Sequence, residues 1–307
     1  MKLVIKSKSL PLTNNVHNEP VYLFNQFFIP KTKQRYEEIK FCLKKNVENE
    51  NIDFIYLLGE RNYTINELGI ENRKIIQINI NKRLTFQDVF LCVRERNIKG
   101  YIVFSNSDIY FLDKSIENIK KSTFHKEKLF GALLRYDYNS RDFSKSKIFG
   151  PRFDSQDTWI LHSNYNIPEF AEKIFNFEFG KPGCDNKLIY LMNILGYTIV
   201  NDPKSIQTLH VHGDVTRTYT IKDSVSQPWG VVVPHSFEIN TMPNCLGINM
   251  QKFFIWSRNF STLMMEDNTT LATYIQDKLG NNRNFIIPRV SGIENNVAVF
   301  QHVIFVH

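Results

Sequence analysis

Short apolar runs alternate with helically spaced segments through residues 21–104, and this alternation limits the fold more than any other property of the chain. Residues 21–29 (closed by Pro30), 53–58, 74–80 and 101–104 read as strands. Between them, Tyr36, Ile39, Leu43 and Val47 recur at the three-to-four spacing of an amphipathic helix. Thr85 is placed to cap a further helix that carries Phe86, Val89, Phe90 and Val93. Strand–helix alternation of this kind predicts an α/β fold with a mostly parallel central sheet flanked by helices. Ligands of such sheets sit at the carboxyl ends of the strands.

The run 101–104 predicts a central strand covered on both faces, and it stops abruptly at Ser105-Asn106-Ser107-Asp108. A carboxylate at that position can hold a divalent cation. Asn106 and Asp108 are equally the residues of a turn that bonds to its own backbone. Glu60 closes the strand 53–58 in the same way. Further on, a short helix at 114–121 and a strand at 129–135 precede residues 136–154. Arg141, Lys145, Lys147 and Arg152 make this stretch either a mobile loop beside the ligand or a plain solvated loop. Asp157 stands at the mouth of a short strand, 159–161. A glycine-rich approach leads to a helix over 187–195, ended by Gly196. Asp185 at its start is either an N-cap or a well-oriented base. His210 and His212, two apart on an extended segment, project to one side; they could join Asp108 around a metal, grip a phosphate, or be ordinary surface histidines before a turn.

Composition sets limits on the partners. The 307 residues contain 42% hydrophobic and 22% charged side chains. No run of about 18 or more apolar residues occurs, so no membrane span is expected, and the charged amino terminus is no signal peptide, which predicts a cytoplasmic protein. Cys42, Cys92, Cys184 and Cys245 are too scattered for a zinc site or a disulfide scaffold. The net charge of +7 suits an anionic ligand, but it is spread too thinly for a nucleic-acid track.

Four segments together, "SNSDIYF", "SQDTWIL", "GKPGCDN" and "HVH", with "RLTFQDVF" upstream, resemble the GT-A-fold (Rossmann-like) nucleotide-sugar glycosyltransferases, in particular a family found in large DNA viruses and some microbes and plants. The resemblance covers about residues 20–220. It implies a metal-assisted transfer of sugar from a UDP- or GDP-sugar to a glycan or protein hydroxyl. Mn2+ or Mg2+ would bind Asp108 in the place of the family's DxD motif, where Asn106 replaces the first carboxylate. Asp185 would be the base of an inverting reaction, with Cys184 replacing an acid before it. His210 and His212 would bind metal or phosphate, Asp157 and Trp159 would line the sugar or acceptor pocket, and Arg83 would contact phosphate. Asn186 and Glu60 complete the expected substrate-binding set. A nucleotidyltransferase and a non-catalytic sugar- or nucleotide-binding module remain as alternatives. The Asn-, Ile- and Lys-rich usage resembles that of AT-rich giant viruses, which would make the cytoplasm that of a host.

In this reading residues 1–20 are a loosely held leader, 21–222 the GT-A domain, and 223–307 a C-terminal appendage. The appendage is expected to contain a strand at 228–234, a helix at 271–279 and a strand at 284–287. Its apolar end at 303–306 implies a further domain past His307.

Overall fold

The apolar runs of the first hundred residues form strands, and the helically spaced segments between them form helices. The computed structural model describes residues 2–140, 145–150, 152–213, 219–226, 228–235, 237, 286–294 and 297–304. Strand β1 (Lys2–Lys6) is followed by β2 (Val21–Asn25), α1 (Lys33–Glu48), β3 (Phe54–Gly59), α2 (Ile65–Leu68), β4 (Ile75–Asn79), α3 (Phe86–Glu95) and β5 (Tyr101–Ser105). Next come β6 (Ile109–Phe111), α4 (Asp113–Lys121), β7 (Leu129–Leu133), β8 (Tyr136–Asp137), β9 (Lys147–Ile148), β10 (Thr158–His162) and α5 (Cys184–Ile194). The remainder contributes β11 (Thr198–Val200), β12 (Thr208–His210), β13 (Trp229–Val233), β14 (Ile286–Glu294) and β15 (Val297–Ile304). Helix α3 begins as expected at Thr85, whose hydroxyl accepts the Asp88 amide while the Asp88 carboxylate accepts the Thr85 amide, a closed capping box.

The central sheet has the order β11-β7-β10-β5-β2-β3-β4. Strands β2, β3, β4 and β5 are parallel, as are β7 and β11, so the fold is the expected α/β class with a mostly parallel sheet. Strand β10 departs from this direction, running antiparallel to both β5 and β7. The connection from β7 to β10 carries no α-helix among its described residues, and without a crossover element the chain returns the opposite way. Period-two alternation along β5 feeds two cores. Ile102 and Phe104 pack with Trp159 and the apolar stripes of α3 and α5, while Tyr101 and Val103 pack with those of α1 and α4. A second sheet, β6-β12-β8-β9, follows the carboxyl end of β5.

The amino-terminal leader is not loosely held. Lys2–Lys6 pair in parallel with Trp229–Val233, Ile5 and Leu10 are buried, and the Leu10 amide donates to Asp202 at 3.1 Å. The partner strand lies more than two hundred residues away, and the polar, proline-containing sequence gives no local sign of it. The strand expected at 228–234 is thus β13, the partner of β1. The helix expected at 271–279 lies outside the described residues. The strand expected from residue 284 is described from Ile286 as β14, which pairs with β15 antiparallel, with a bulge between Val290 and Gly292. Among the described residues no helix is long and apolar enough to cross a membrane.

At the amino end of β5, opposite the Ser-Asn-Ser-Asp turn, three histidines pin the leader down. His17 stacks on His125 with centroids 4.0 Å apart, and Glu19 accepts from His162 Nε2 at 2.5 Å. The Asn164 amide donates to Nδ1 of His162 at 3.2 Å, so the ring proton is assigned to Nε2. That nitrogen is engaged with Glu19, and His17, Glu19 and His162, which lie close together, form a hydrogen-bonded clasp. Burial pulls the pKa of His162 below its ordinary value against the pull of Glu19, and burial together with His17 does the same to His125. The unfolded chain then takes up protons first, so this contribution to stability is present above about pH 6.5 and lost as pH falls below it. In thermal denaturation, the stability advantage of the natural chain over a His162→Gln variant is expected to narrow between about pH 7.5 and about pH 5.5. A gap that is constant with pH would contradict this assignment.

Candidate functional site

The turn that ends β5 is built by hydrogen bonds to β2. Asn25 Nδ2 donates to the Ser105 carbonyl at 2.9 Å, Ser107 Oγ donates to the Gln26 carbonyl at 2.6 Å, and the Ile109 amide closes the turn on Asn106 O at 3.2 Å. The backbone is thus the turn that Asn and Asp favour, but the Asp108 carboxylate does not serve it. It points into a cluster drawn from distant parts of the chain. Arg35 Nη2 on α1 donates to Asp108 Oδ2 at 2.5 Å, and His210 Nε2 donates to the same oxygen at 2.9 Å. Arg35 Nη1 lies 2.9 Å from His212 Nδ1, and the two imidazoles stack with centroids 5.1 Å apart. The β12–β6 pairing sets this geometry, because it places His210 opposite Ile109, next to Asp108.

The network continues past the imidazoles. His210 Nδ1 lies 3.8 Å from Asp137, which is 3.5 Å from Arg135, and Arg135 donates to Asp157. Asp157 Oδ1 in turn accepts from Asn106 Nδ2 at 2.6 Å, closing a ring on the turn that also carries Asp108. The antiparallel course of β10 makes this closure possible: Thr158 pairs with Ser105, so the start of β10 meets the end of β5.

The electrostatics follow from burial and alternation of charge. Asp108 is 4% exposed, and although burial opposes ionisation, His210 above all, together with Arg35, holds its pKa well below the ordinary range. Burial alone would lower the His210 pKa, but Asp108 and then Asp137 overcome it and raise it to about 9. The Asp108 contribution to stability is present above its unfolded pKa and lost as pH falls. That of His210 is complete below about 6.5 and lost as pH rises through about 9.

Asp185 lies in the first turn of α5, whose N-cap is Gly183 rather than Asp185 itself. Gly183 has φ of 78°, and a Cβ there would sit 3.0 Å from the Trp229 ring, so both conformation and space require glycine. Free of the capping role, Asp185 Oδ2 accepts from the Gln156 amide at 3.0 Å, which ties it to the neighbour of Asp157. Burial raises its pKa to about 7 against the opposing Gln156 and Asn186 amides.

Of the residues expected at a site, Asn106, Asp108, Asp157, His210 and His212 are brought into one network, and Asp185 adjoins it. Trp159 is corrected: it is fully buried, enclosed by Phe86, Phe104 and Phe179 at centroid distances of 5.0, 5.7 and 5.6 Å, and offers no face to a sugar. Its strand β10 is buried along its whole length, so the side chain that follows Asp157 and Thr158 packs in the core. Arg83 donates to the Phe179 carbonyl at 2.9 Å and pairs with Glu178, bracing the approach to α5. Asn186 is 1% exposed, and Glu60 is exposed at the end of β3. The stretch 136–154 is in part a structured element, since β8 and β9 lie within it and contribute Asp137; Arg141 is outside the described residues.

Sequence reasoning missed Arg35, Asp137 and Arg135. Arg135 ends an apolar run at a strand's carboxyl end, the same positional signal that singled out Asp108. Arg35 is one more charge on the polar face of an amphipathic helix, and no local signal marks it.

Asp108, His210 and His212 offer ligand atoms that all lie within 4.8 Å of one another. Asp108 Oδ1 is buried with no hydrogen-bond partner among the described residues, an acceptor left over for a cation. One carboxylate and two imidazoles fit a divalent transition ion such as Mn2+ better than Mg2+, which prefers oxygen ligands.

No protein-family model matches the chain, and no curated protein matches it. Among solved structures it is similar to the mannosyltransferase PcManGT from Pyrobaculum calidifontis in complex with GDP-Man and Mn2+, at 13% identity and a TM-score of 0.43 over 68% of this chain and 62% of that one. It is similar to GalNAc-T7 with UDP, GalNAc and Mn2+ at 7% identity and a TM-score of 0.41, over 65% and 45% of the two chains. A third is 4-diphosphocytidyl-2C-methyl-D-erythritolsynthase from Anaerococcus prevotii DSM 20548, at 8% identity and a TM-score of 0.37, over 67% and 92%. The chain spans less than two thirds of the length of the first two.

Asp108→Asn removes the buried anion that two half-buried cations share. Urea denaturation is expected to register a loss of roughly 3 kcal/mol. In an NMR titration His210 is expected to return from about 9 toward the ordinary histidine range. An unchanged His210 titration would dissolve the pair.

Proposed function

We propose that the protein is a glycosyltransferase of the GT-A type, moving a sugar from a nucleotide-sugar donor to a hydroxyl of a glycan or protein acceptor. What supports this reading is the Asp108/His210/His212 group at the carboxyl end of β5, joined through Asn106 to Asp157, whose neighbour Gln156 donates to Asp185 with its pKa raised to about 7. The sequence resemblance supports it from the same residues. Asp108, through its unpartnered Oδ1, and the imidazoles of His210 and His212 would hold the metal. When bound, that ion neutralises charge on the donor diphosphate.

The chain's own groups supply the rest. Arg35 and Arg135 present fixed positive charge toward a diphosphate. Asp185 accepts the proton of the acceptor hydroxyl as its oxygen bonds to the anomeric carbon, and the bond from that carbon to the diphosphate breaks with its electron pair leaving on the phosphate oxygen. Attack opposite the leaving group inverts the anomeric centre. Asn106 and Arg135 hold Asp157 at the rim, where it can hydrogen-bond to sugar hydroxyls. In this reading residues 21–222 carry the activity, and the reaction takes place in the cytoplasm.

Slow hydrolysis of a UDP- or GDP-sugar in the presence of Mn2+ is the direct test. Asp185→Asn and Asp108→Ala are each expected to lower turnover by about 10²–10⁴-fold. A variant that turns over like the natural chain would remove that residue from its role. The profile of kcat/KM against pH is expected to rise through about 7 as Asp185 ionises. Ionised Asp185 is disfavoured in the fold, so its cost to stability grows as pH rises from its unfolded value and is complete above about 7. Asp185→Asn should therefore raise the melting temperature at about pH 8 while lowering activity, and a lowered melting temperature there would contradict the raised pKa.

A further inference from the structure

We infer that the guanidinium of Arg35 is a built-in competitor for the metal position, so that the site takes a divalent ion tightly only once an anionic ligand has drawn Arg35 away. This rests on the proposed reading of Asp108, His210 and His212 as metal ligands, and it gives Arg35, there a positive charge facing the diphosphate, a second part in the same site. Two of the three ligand atoms are already in use. Nη2 of Arg35 is 2.5 Å from Asp108 Oδ2, and Nη1 is 2.9 Å from His212 Nδ1. Arginine has donors only, so in this contact His212 presents the lone pair of Nδ1 to it rather than a proton to Asp108 Oδ2 3.4 Å away, and that lone pair is one an ion could take. Both cations therefore want the same electrons.

The competition differs from that at an ordinary protonated ligand. A proton on His210 leaves when an ion arrives, but the guanidinium does not deprotonate, so Arg35 has to move as a whole. It has the means to do so. The side chain is 20% exposed, and besides the two shared ligands it contacts Glu38 Oε2 at 3.1 Å and the Val211 carbonyl at 3.5 Å. Its anchor lies in the first turn of α1, which Thr32 caps, so the backbone stays in place while the side chain turns. A planar fork of donors matches the paired oxygens of a phosphate, and a diphosphate is an acceptor that could draw Arg35 off Asp108. Asp108 Oδ1, which Arg35 does not touch, remains as the first point of attachment for the ion.

The test is Mn2+ binding to the whole chain without nucleotide, by calorimetry and by electron paramagnetic resonance, for the natural protein, Arg35→Gln and Arg35→Lys. Arg35→Gln is expected to bind Mn2+ about tenfold or more tightly than the natural protein. Arg35→Lys keeps the charge but cannot bridge both ligands, and it should fall between the two. Nitrogen couplings from two imidazoles should appear on Mn2+ bound to Arg35→Gln, and one should vanish when His212→Ala is added. Inorganic phosphate should tighten Mn2+ binding by a larger factor in the natural protein than in Arg35→Gln. If the natural protein and both variants bind Mn2+ equally, the competition is overturned and the metal reading stands. If none of them binds Mn2+ with or without phosphate, both fall together.

Discussion

A carboxylate that is 4% exposed is stable as an anion only if cations reach it, and Asp108 is the group around which this molecule is arranged. Arg35 comes to it from α1, and His210 and His212 come from beyond the last strand of the central sheet. Arg35 and His210 are each partnered by a second carboxylate, Glu38 and Asp137 respectively. Alternation of sign around the cluster removes the cost that burying any one charge would carry alone. It also keeps Asp108 and His210 charged across the neutral range.

The fold carries this cluster on rigid parts. Asp108 stands on a turn fastened to β2, His210 is in register with β6, and Asp157 arrives beside Asn106 because β10 runs against its neighbours. Two apolar cores, one on each face of β5, hold the strand that presents the turn. Trp159 serves that purpose: it stiffens the frame behind Asp157 instead of meeting a ligand. The leader strand β1 and its partner β13 add a further brace, with the Trp229 ring lying against Gly183 at the start of the helix that carries Asp185.

Charges of one cluster can play opposed parts in the same site. Asp185 gains a raised pKa from burial near Asp157, whereas Asp108 is held low by its cations. Two carboxylates on one rim are thereby separated into one that can take a proton at neutral pH and one that cannot. This division is what acid–base chemistry beside a charged ligand needs.

Much of this was legible in the chain itself. Period-two and three-to-four spacing is a local property, so the strands and helices from residue 21 to residue 104, the cap at Thr85, the strand end at Asp108 and the shared side of His210 and His212 could all be read from neighbouring residues. Pairings between distant segments could not. Nothing near Lys2–Lys6 announces Trp229–Val233, and nothing in an amphipathic helix announces that Arg35 will leave its polar face for Asp108. The direction of β10 and the burial of Trp159 likewise depend on which strands become neighbours. By itself the sequence determined the elements and the chemistry available at their ends, because those follow from residue types a few positions apart. Only the tertiary structure decided which charges meet and which ring is enclosed, because burial and ion pairing act between groups that the chain brings together from a hundred residues away.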